Sequence, residues 1–321
     1  DWWQAAVTGI GKVLSKAEVS AATVAGIGLS GQMHGMVALD IKGNVVRKAI
    51  LWNDQRSAPQ CSEITELAGG SGSLLELTNN RMLPGYTGSK IFWLRENEPD
   101  NYARTNMILN PKDYLRYRLT GEYVTEVSDA SGTGLFDVRA RCWSQTLLNR
   151  LGFPASLFPR CMESTEITGY VNSAAAELTG LKAGTPVVGG GGDAVVQTTG
   201  MGITKPGVLG ITIGVSGVAA VALEEFRPNH GGLLQVFCNN APNLWHAMGV
   251  TLAAGGSLQW YRDNFCEAET ARAKAEGSRV YSILDDQAEA AAPGSKQLLF
   301  LPYLNGERCP YTDPDAKGAF I

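Results

Sequence analysis

AGIGLSGQMHG, residues 25–35, is the stretch whose reading decides the fold. Gly26, Gly28 and Gly31 stand at the G-x-G-x-x-G spacing of a dinucleotide-binding turn. That turn needs a strand before it, a helix opening at its last glycine and an acidic residue about 20 positions on. Here no helical period follows Gly31. Met36-Val-Ala-Leu39 and Val45 to Trp52 read instead as a hairpin around Asp40-Ile-Lys-Gly-Asn44, with Gly43-Asn44 as turn chemistry. The first acidic residue is Asp40, in that turn, and the positions near 50 are Ile-Leu-Trp. The dinucleotide reading fails. The glycines sit in and just after a strand over 23–29, whose polar tip carries Gln32 and His34 beside Gly31 and Gly35. Strand ends in α/β sheets face ligand crevices. The tip is either a pocket edge for a small hydroxylated ligand or a loop that uses glycine for its dihedrals.

Working outward, Asp1 is placed to cap a first helix with Trp3, Val7, Ile10 and Val13/Leu14 on one face. Helical patterns follow at 54–68, 87–97, 111–119, 144–151 and 172–179, with short strands at 107–109 and 166–170. Asp54 is expected to cap the helix after it and Arg56 to pair with a carboxylate. Lys90 is expected to be solvated or bonded to backbone. The composition changes near 185–190. TPVVGGGGDAVVQTTGMG, residues 185–202, reads as strand, four glycines and helix. Two apolar strands then flank Ile213-Gly-Val-Ser-Gly-Val218, a helix covers about 251–265, a polar helical stretch 267–290, and a strand 298–301. Hairpins, crossover helices and strands in this mixture predict layered α/β architecture.

Four consecutive glycines cost backbone entropy, so something should require them. They deliver Asp193 at a strand-to-helix turn, where a carboxylate can take a proton from a substrate hydroxyl or orient a metal-bound phosphate. The plainer alternative is that Asp193 only caps the helix 194–199. Gly214, Val215, Ser216 and Gly217 form a turn whose N–H groups and hydroxyl could cradle phosphate oxygens, or an ordinary hairpin. It is no hydrolase elbow, which needs G-x-S-x-G.

The totals exclude other classes. Of 321 residues, 44% are hydrophobic and 18% charged, and the net charge is −4 with scattered basic residues, so nucleic acid is not an expected partner. The longest near-apolar run, 297–304, is far short of the ~20 residues of a membrane helix. Six cysteines without a CxxC pair read as reduced thiols in a reducing compartment, which points to the cytoplasm. Three histidines form no zinc-type spacing.

Seven segments in order resemble the FGGY family of carbohydrate kinases along essentially the whole chain. They are Ser30-Gly-Gln-Met-His-Gly35, Ile50-Leu-Trp-Asn-Asp54, Pro84-Gly-Tyr-Thr-Gly-Ser-Lys90 with Trp93, Pro111-Lys-Asp-Tyr-Leu115, Ser128-Asp-Ala-Ser-Gly132, Gly190-Gly-Gly-Asp193 and Gly306-Glu-Arg308. The resemblance implies an α/β, actin-like (ribonuclease H-like) two-domain ATPase fold. A sugar-binding domain would cover 1–187 and the first part of a nucleotide-binding domain 188–321, both incomplete. It implies ATP-dependent phosphorylation of a sugar hydroxyl with Mg2+. Asp193 would be the general base and would hold the metal, directly or through water. Gln32, Met33 and His34 would line the sugar site, and Gly214, Val215, Ser216 and Gly217 would approach the phosphates of ATP. The Met-His pair implies D-xylulose, converted to its 5-phosphate, where glycerol-phosphorylating members carry charged residues. Ribulose or glycerol kinases, and a non-catalytic sugar-binding protein, are the alternatives. The partner expected is the small-molecule sugar, with a homodimer left open. Val215 stands where relatives usually have Thr, and Ala194 where Asn is frequent, so one phosphate and one sugar contact are in doubt. The chain opens Asp1-Trp-Trp without Met and lacks the family's Asp-x-Gly-Thr turn and adenine segment. We therefore expect a piece of a longer chain, inactive or nearly so alone.

Overall fold

Trp3, Ala6, Val7, Ile10 and Leu14 recur every three or four residues. In the computed structural model the helix Trp2–Ala17 lays that stripe against Val171, Ala175, Leu181 and Val187. Val13 points to solvent, so Leu14 completes the stripe. Asp1 holds the N-cap position, but its side chain makes no cap bond. The structure describes residues 1–307, 309, 313 and 315–321; Arg308 of the motif Gly306-Glu-Arg308 lies outside the described residues.

The helices Thr87–Asn97, Pro111–Thr120, Gln145–Leu151 and Ser173–Thr179 fall where their start and stop residues place them. Pro111 opens one of them, Asn172 caps another by accepting from the Ala175 N–H, and Gly121, Gly152 and Gly180 close three of them in the left-handed conformation. The stretch 54–68 behaves differently. Its helix is Ala58–Leu67, and a second helix, Ser71–Thr78, follows after Gly69 and Gly70, both at positive φ. Ser57, not Asp54, takes the N-cap position. Asp54 instead accepts from the Arg56 N–H at 3.0 Å and pairs with its guanidinium at 2.8 Å, so it is itself the carboxylate that Arg56 finds.

The strand expected over 23–29 lies further along. Ala21–Thr23 is a single 3-10 turn, because Ser20 accepts from the Ala22 N–H and curls the chain. Ile27 bridges Val187, and regular pairing starts only at Ser30–Gly31. The hairpin survives as bridges, Leu39 to Val45 and Met36 to Ile50, around a turn with Gly43 at positive φ. The regular ladder of Val37–Leu39 runs to Met107–Leu109 instead. Those two strands are apolar at every position and buried, and Val37–Leu39 also keeps its bonds to the turn side, where Ala38 accepts from the Val46 N–H.

The chain divides into two compact units, residues 1–208 with 221–247, and residues 209–220 with 248–321. The composition change at 185–190 coincides with no break in packing. Pro186–Val188 pairs with Ile167–Tyr170, and Gly191–Gly192 with Ser30–Gly31, so both strands belong to the first unit. A second core of that unit gathers Val127, Ala130, Phe136, Val138, Val236, Cys238 and Ala247. Each large side chain buried there contributes about 1.5–3 kcal/mol. The second unit holds the strand Leu209–Ile213, the helix Gly255–Phe265, the pair Phe300–Leu301 and Ala319–Phe320, and two helices where one was expected. Glu267–Glu276 and Val280–Glu289 are separated by Gly277 at φ 67°. No helix among the described residues is long and apolar enough to cross a membrane.

Candidate functional site

The site is built where two neighbouring parallel strands end. Ser30 pairs with Gly191 and Gly31 with Gly192, so the next residues of each strand, Gln32-Met33-His34 and Asp193, emerge together. This is the carboxyl edge at which open α/β sheets bind ligands.

Each of the four glycines has its own reason. A Cβ on Gly189 would lie 2.7 Å from the Glu163 carbonyl oxygen, and one on Gly190, at φ 69°, would collide with the backbone of Leu29. One on Gly191 would collide with the Asn240 amide, and one on Gly192 would meet Met33 Sδ at 2.7 Å. Met33 is pressed from the other side too. Its Cε lies 2.7 Å from where a Cβ on Gly132 would stand. The buried thioether is thereby set between two glycines.

Asp193 begins the helix Asp193–Gly200, with Gly192 at the N-cap position and no side-chain cap bond. Asp193 is therefore not the cap that the plainer alternative required. One carboxylate oxygen accepts from the Ala194 N–H at 2.8 Å, and the residue remains open to solvent. Protein packed around it strips enough water to raise the carboxyl's pKa. The N–H groups of Ala194, Met33 and Asp193 itself pull the other way without cancelling the rise.

His34 sits at φ 70°, a left-handed backbone rare for a non-glycine residue. Its ring lies stacked on Tyr86 at 4.7 Å, and its Nδ1 is 2.6 Å from the Gly132 carbonyl. A carbonyl only accepts, so Nδ1 carries the proton. The buried Lys90 ammonium donates to the His34 carbonyl at 2.7 Å and to the Gly85 carbonyl. Lys90 is thus backbone-bonded rather than solvated, and burial pushes its pKa down to about 7. Gln32 Oε1 is shielded from water and accepts no hydrogen bond among the described residues.

Behind the glycine run lies a buried ionic cluster that the sequence did not announce. Lys112 Nζ is 2.5 Å from Asp113, 3.6 Å from Glu126 and 3.5 Å from Asp129, and Arg116 is 3.3 Å from Asp113. All five side chains are fully enclosed. Loss of hydration raises Asp129 well above the carboxylate range, with Asp113 and Glu126 adding repulsion. Desolvation works against the Lys112 charge, but the three carboxylates outweigh it and raise its pKa. The only warning in the sequence was that two motifs, Pro111-Lys-Asp-Tyr-Leu115 and Ser128-Asp-Ala-Ser-Gly132, recur in a family without an evident role.

Gly214, Val215 and Ser216 are exposed, and Gly217 is buried. The carbonyl of Gly214 accepts from Gly255, and that of Val215 from Ala254 and Gly256, at the head of the helix Gly255–Phe265. None of the four has positive φ, so the turn is not an alternating-hand nest. The Gly214 N–H donates to the Ser216 carbonyl at 2.9 Å, so a phosphate there would meet an ordinary hairpin with the exposed Ser216 at its tip. Among the described residues no three His, Cys, Asp or Glu side chains gather as a metal cage. A lone open carboxylate fits a magnesium ion that keeps most of its ligands from phosphates and water.

The model of the FGGY family of carbohydrate kinases matches as its N-terminal domain over residues 1–200 and as its C-terminal domain over 209–321. A xylulose kinase of Bacillus subtilis (strain 168) is 38% identical over 321 residues, 100% of this chain and 62% of that protein. One from Lactococcus lactis subsp. lactis (strain IL1403) is 41% identical over 298 residues, 93% of this chain and 57% of that protein. The crystal structure of xylulose kinase from Rhodospirillum rubrum superposes with a TM-score of 0.90 at 28% identity, covering 100% of this chain and 63% of that one. The chain therefore spans about 60% of the length of the relatives it matches. Those shares are lengths of the relatives. They do not support the expectation that this chain is a piece.

Proposed function

The chain belongs to the FGGY family of carbohydrate kinases, and we propose that the protein phosphorylates D-xylulose with ATP, giving D-xylulose 5-phosphate and ADP. The observation that carries this reading is the convergence of Gln32, Met33 and His34 with Asp193 at the ends of two paired strands. The xylulose kinases at 38% and 41% identity favour this sugar over other polyols.

Asp193 takes the proton of the reacting hydroxyl as its oxygen bonds to the γ-phosphorus and the bond to the ADP oxygen breaks. A carboxyl whose pKa is raised by lost hydration is a better base than a fully solvated one. The fixed His34 ring and Met33 thioether form a wall that selects an uncharged ketose, and Gln32, half-buried beside them, is its polar edge. The exposed turn residues Gly214, Val215 and Ser216, with the buried Gly217 behind them, approach the ATP phosphates, and the Ser216 hydroxyl is the side-chain donor among them. Magnesium supplies charge neutralisation on those phosphates, and Asp193 is the residue that would hold it, directly or through water.

The test is a coupled ADP-release assay on the intact protein with D-xylulose, ribulose and glycerol, beside Asp193→Ala. We expect the best kcat/KM with xylulose, and a fall in kcat of about 10²–10⁴-fold in the variant with sugar affinity little changed. A best kcat/KM for glycerol overturns the substrate. Full activity in the variant overturns the base. Xylulose binding without ADP release from any sugar makes this a sugar-binding protein.

A further inference from the structure

No side chain holds the Asp193 carboxylate: it is met only by backbone N–H groups, those of Ala194 and Asp193 on its own helix and of Met33, and the cap position before it is a glycine. Its placement therefore depends on backbone: on the Met33 peptide, and on the peptide planes of 189–192 that lead into it, a run of four residues with no side chains to hold it. Those planes are gripped from the buried side by other residues. Arg116 donates to the carbonyls of Val188, at 2.8 Å, and Gly189. Asn240 Nδ2 donates to the Gly190 carbonyl at 2.8 Å, from a position that a Cβ on Gly191 would occupy. Ser128 Oγ accepts from the Gly192 N–H at 3.1 Å. The Ser128 hydroxyl gives its single proton to Glu126 at 2.9 Å and also faces the Asn240 amide at 3.3 Å, so both its donor and its acceptor capacity are used. Arg116 and Ser128 have no exposed surface and Asn240 has 8%.

We propose that Ser128 and Asn240 are positioning residues for the Asp193 carboxylate: they fix the Gly190 and Gly192 peptides, and so the aim of the base at the sugar hydroxyl. This inference rests on the reading of Asp193 as the base. Removing the Ser128 hydroxyl leaves the Gly192 N–H buried without a partner, one residue before Asp193. A displacement of the order of 1 Å there costs about 10²-fold in rate.

The experiment compares Ser128→Ala and Asn240→Ala with Thr179→Ala in the intact protein. Thr179 is a buried hydroxyl at the end of the helix Ser173–Thr179, bonded to the backbone of Ala175 within it and of Leu181 just beyond it, away from the glycine run. For each we would measure kcat, xylulose Kd by calorimetry, and Tm. The expected result is a kcat loss of about 10–100-fold in Ser128→Ala, with Kd within about threefold and a Tm drop no larger than that of Thr179→Ala, which keeps its kcat. Asn240→Ala should show the same split, and it decides the matter if Ser128→Ala does not fold. Wild-type kcat in folded Ser128→Ala and Asn240→Ala sinks the proposal, as does a kcat loss that only tracks Tm as in Thr179→Ala. Absence of turnover in the wild type would instead sink the kinase reading itself.

Discussion

Two glycine turns in this chain look alike as sequence and are opposites as structures. Gly189 to Gly192 is pressed on by Glu163, Leu29, Asn240 and Met33, so each missing Cβ is a contact made by something else. Gly214 to Gly217 is mostly exposed, tied to its helix by carbonyls, and a Cβ on Gly214 would find nothing closer than 3.7 Å. A glycine run can therefore mean a rigid seat for one side chain or an open turn, and only the neighbours say which.

The largest expected effect tests that contrast directly. Gly190→Ala puts a Cβ into the Leu29 backbone at a positive φ, and should cost more than about 3 kcal/mol, read as a collapse of Tm or of folded yield. Gly214→Ala should stay within about 0.5 kcal/mol of wild type. Equal losses at the two positions would erase the distinction.

The second prediction concerns the helix that Asp193 opens. His246 is buried, 3.4 Å from Thr198 Oγ1 on that helix, and burial lowers its pKa to about 4. Between pH 4 and 6.5 the unfolded chain binds a proton there that the folded chain refuses. Stability should thus rise with pH across that window and be flat above it. By linkage the span is on the order of 3 kcal/mol. Denaturant titrations of His246→Gln at several pH values should show that slope removed.

Third, Lys90→Met removes the donor that ties the His34 carbonyl in its left-handed turn. The xylulose KM should rise about tenfold with a smaller change in kcat, since sugar placement and not the base is disturbed. A selective loss of kcat would move Lys90 to the other side of the comparison. The smallest effect is expected at the open turn. Val215→Thr adds a hydroxyl at an exposed position and should lower the ATP KM by no more than about threefold, without moving Tm.

What the sequence disclosed follows from what local signals can carry. The helices beginning at Pro111 and Ser173 were legible because proline, asparagine and glycine act on backbone within a turn of themselves. The strand near 23–29 was misplaced because its pairing partner, Val187 to Gly192, lies some 160 positions away and fixes where the ladder begins. The helices Ser71–Thr78 and Val127–Ser131 are too short, and too rich in small polar residues, to show a period. Asp193 and Gln32 to His34 stood out because glycines framed them. Lys112, Asp113, Arg116, Glu126 and Asp129 did not, since charges at helical spacing ordinarily mark a wet surface. Only the assembled fold shows them turned inward.

Met33 fills the space that a Cβ on Gly132 or on Gly192 would need, so the shape of the proposed sugar wall is shared by three positions spread over about 160 residues. Libraries that vary Met33 alone would sample mostly side chains these two glycines cannot admit. If Met33 lines the sugar site as proposed, redirecting it to a bulkier or smaller sugar calls for varying 33, 132 and 192 as one unit.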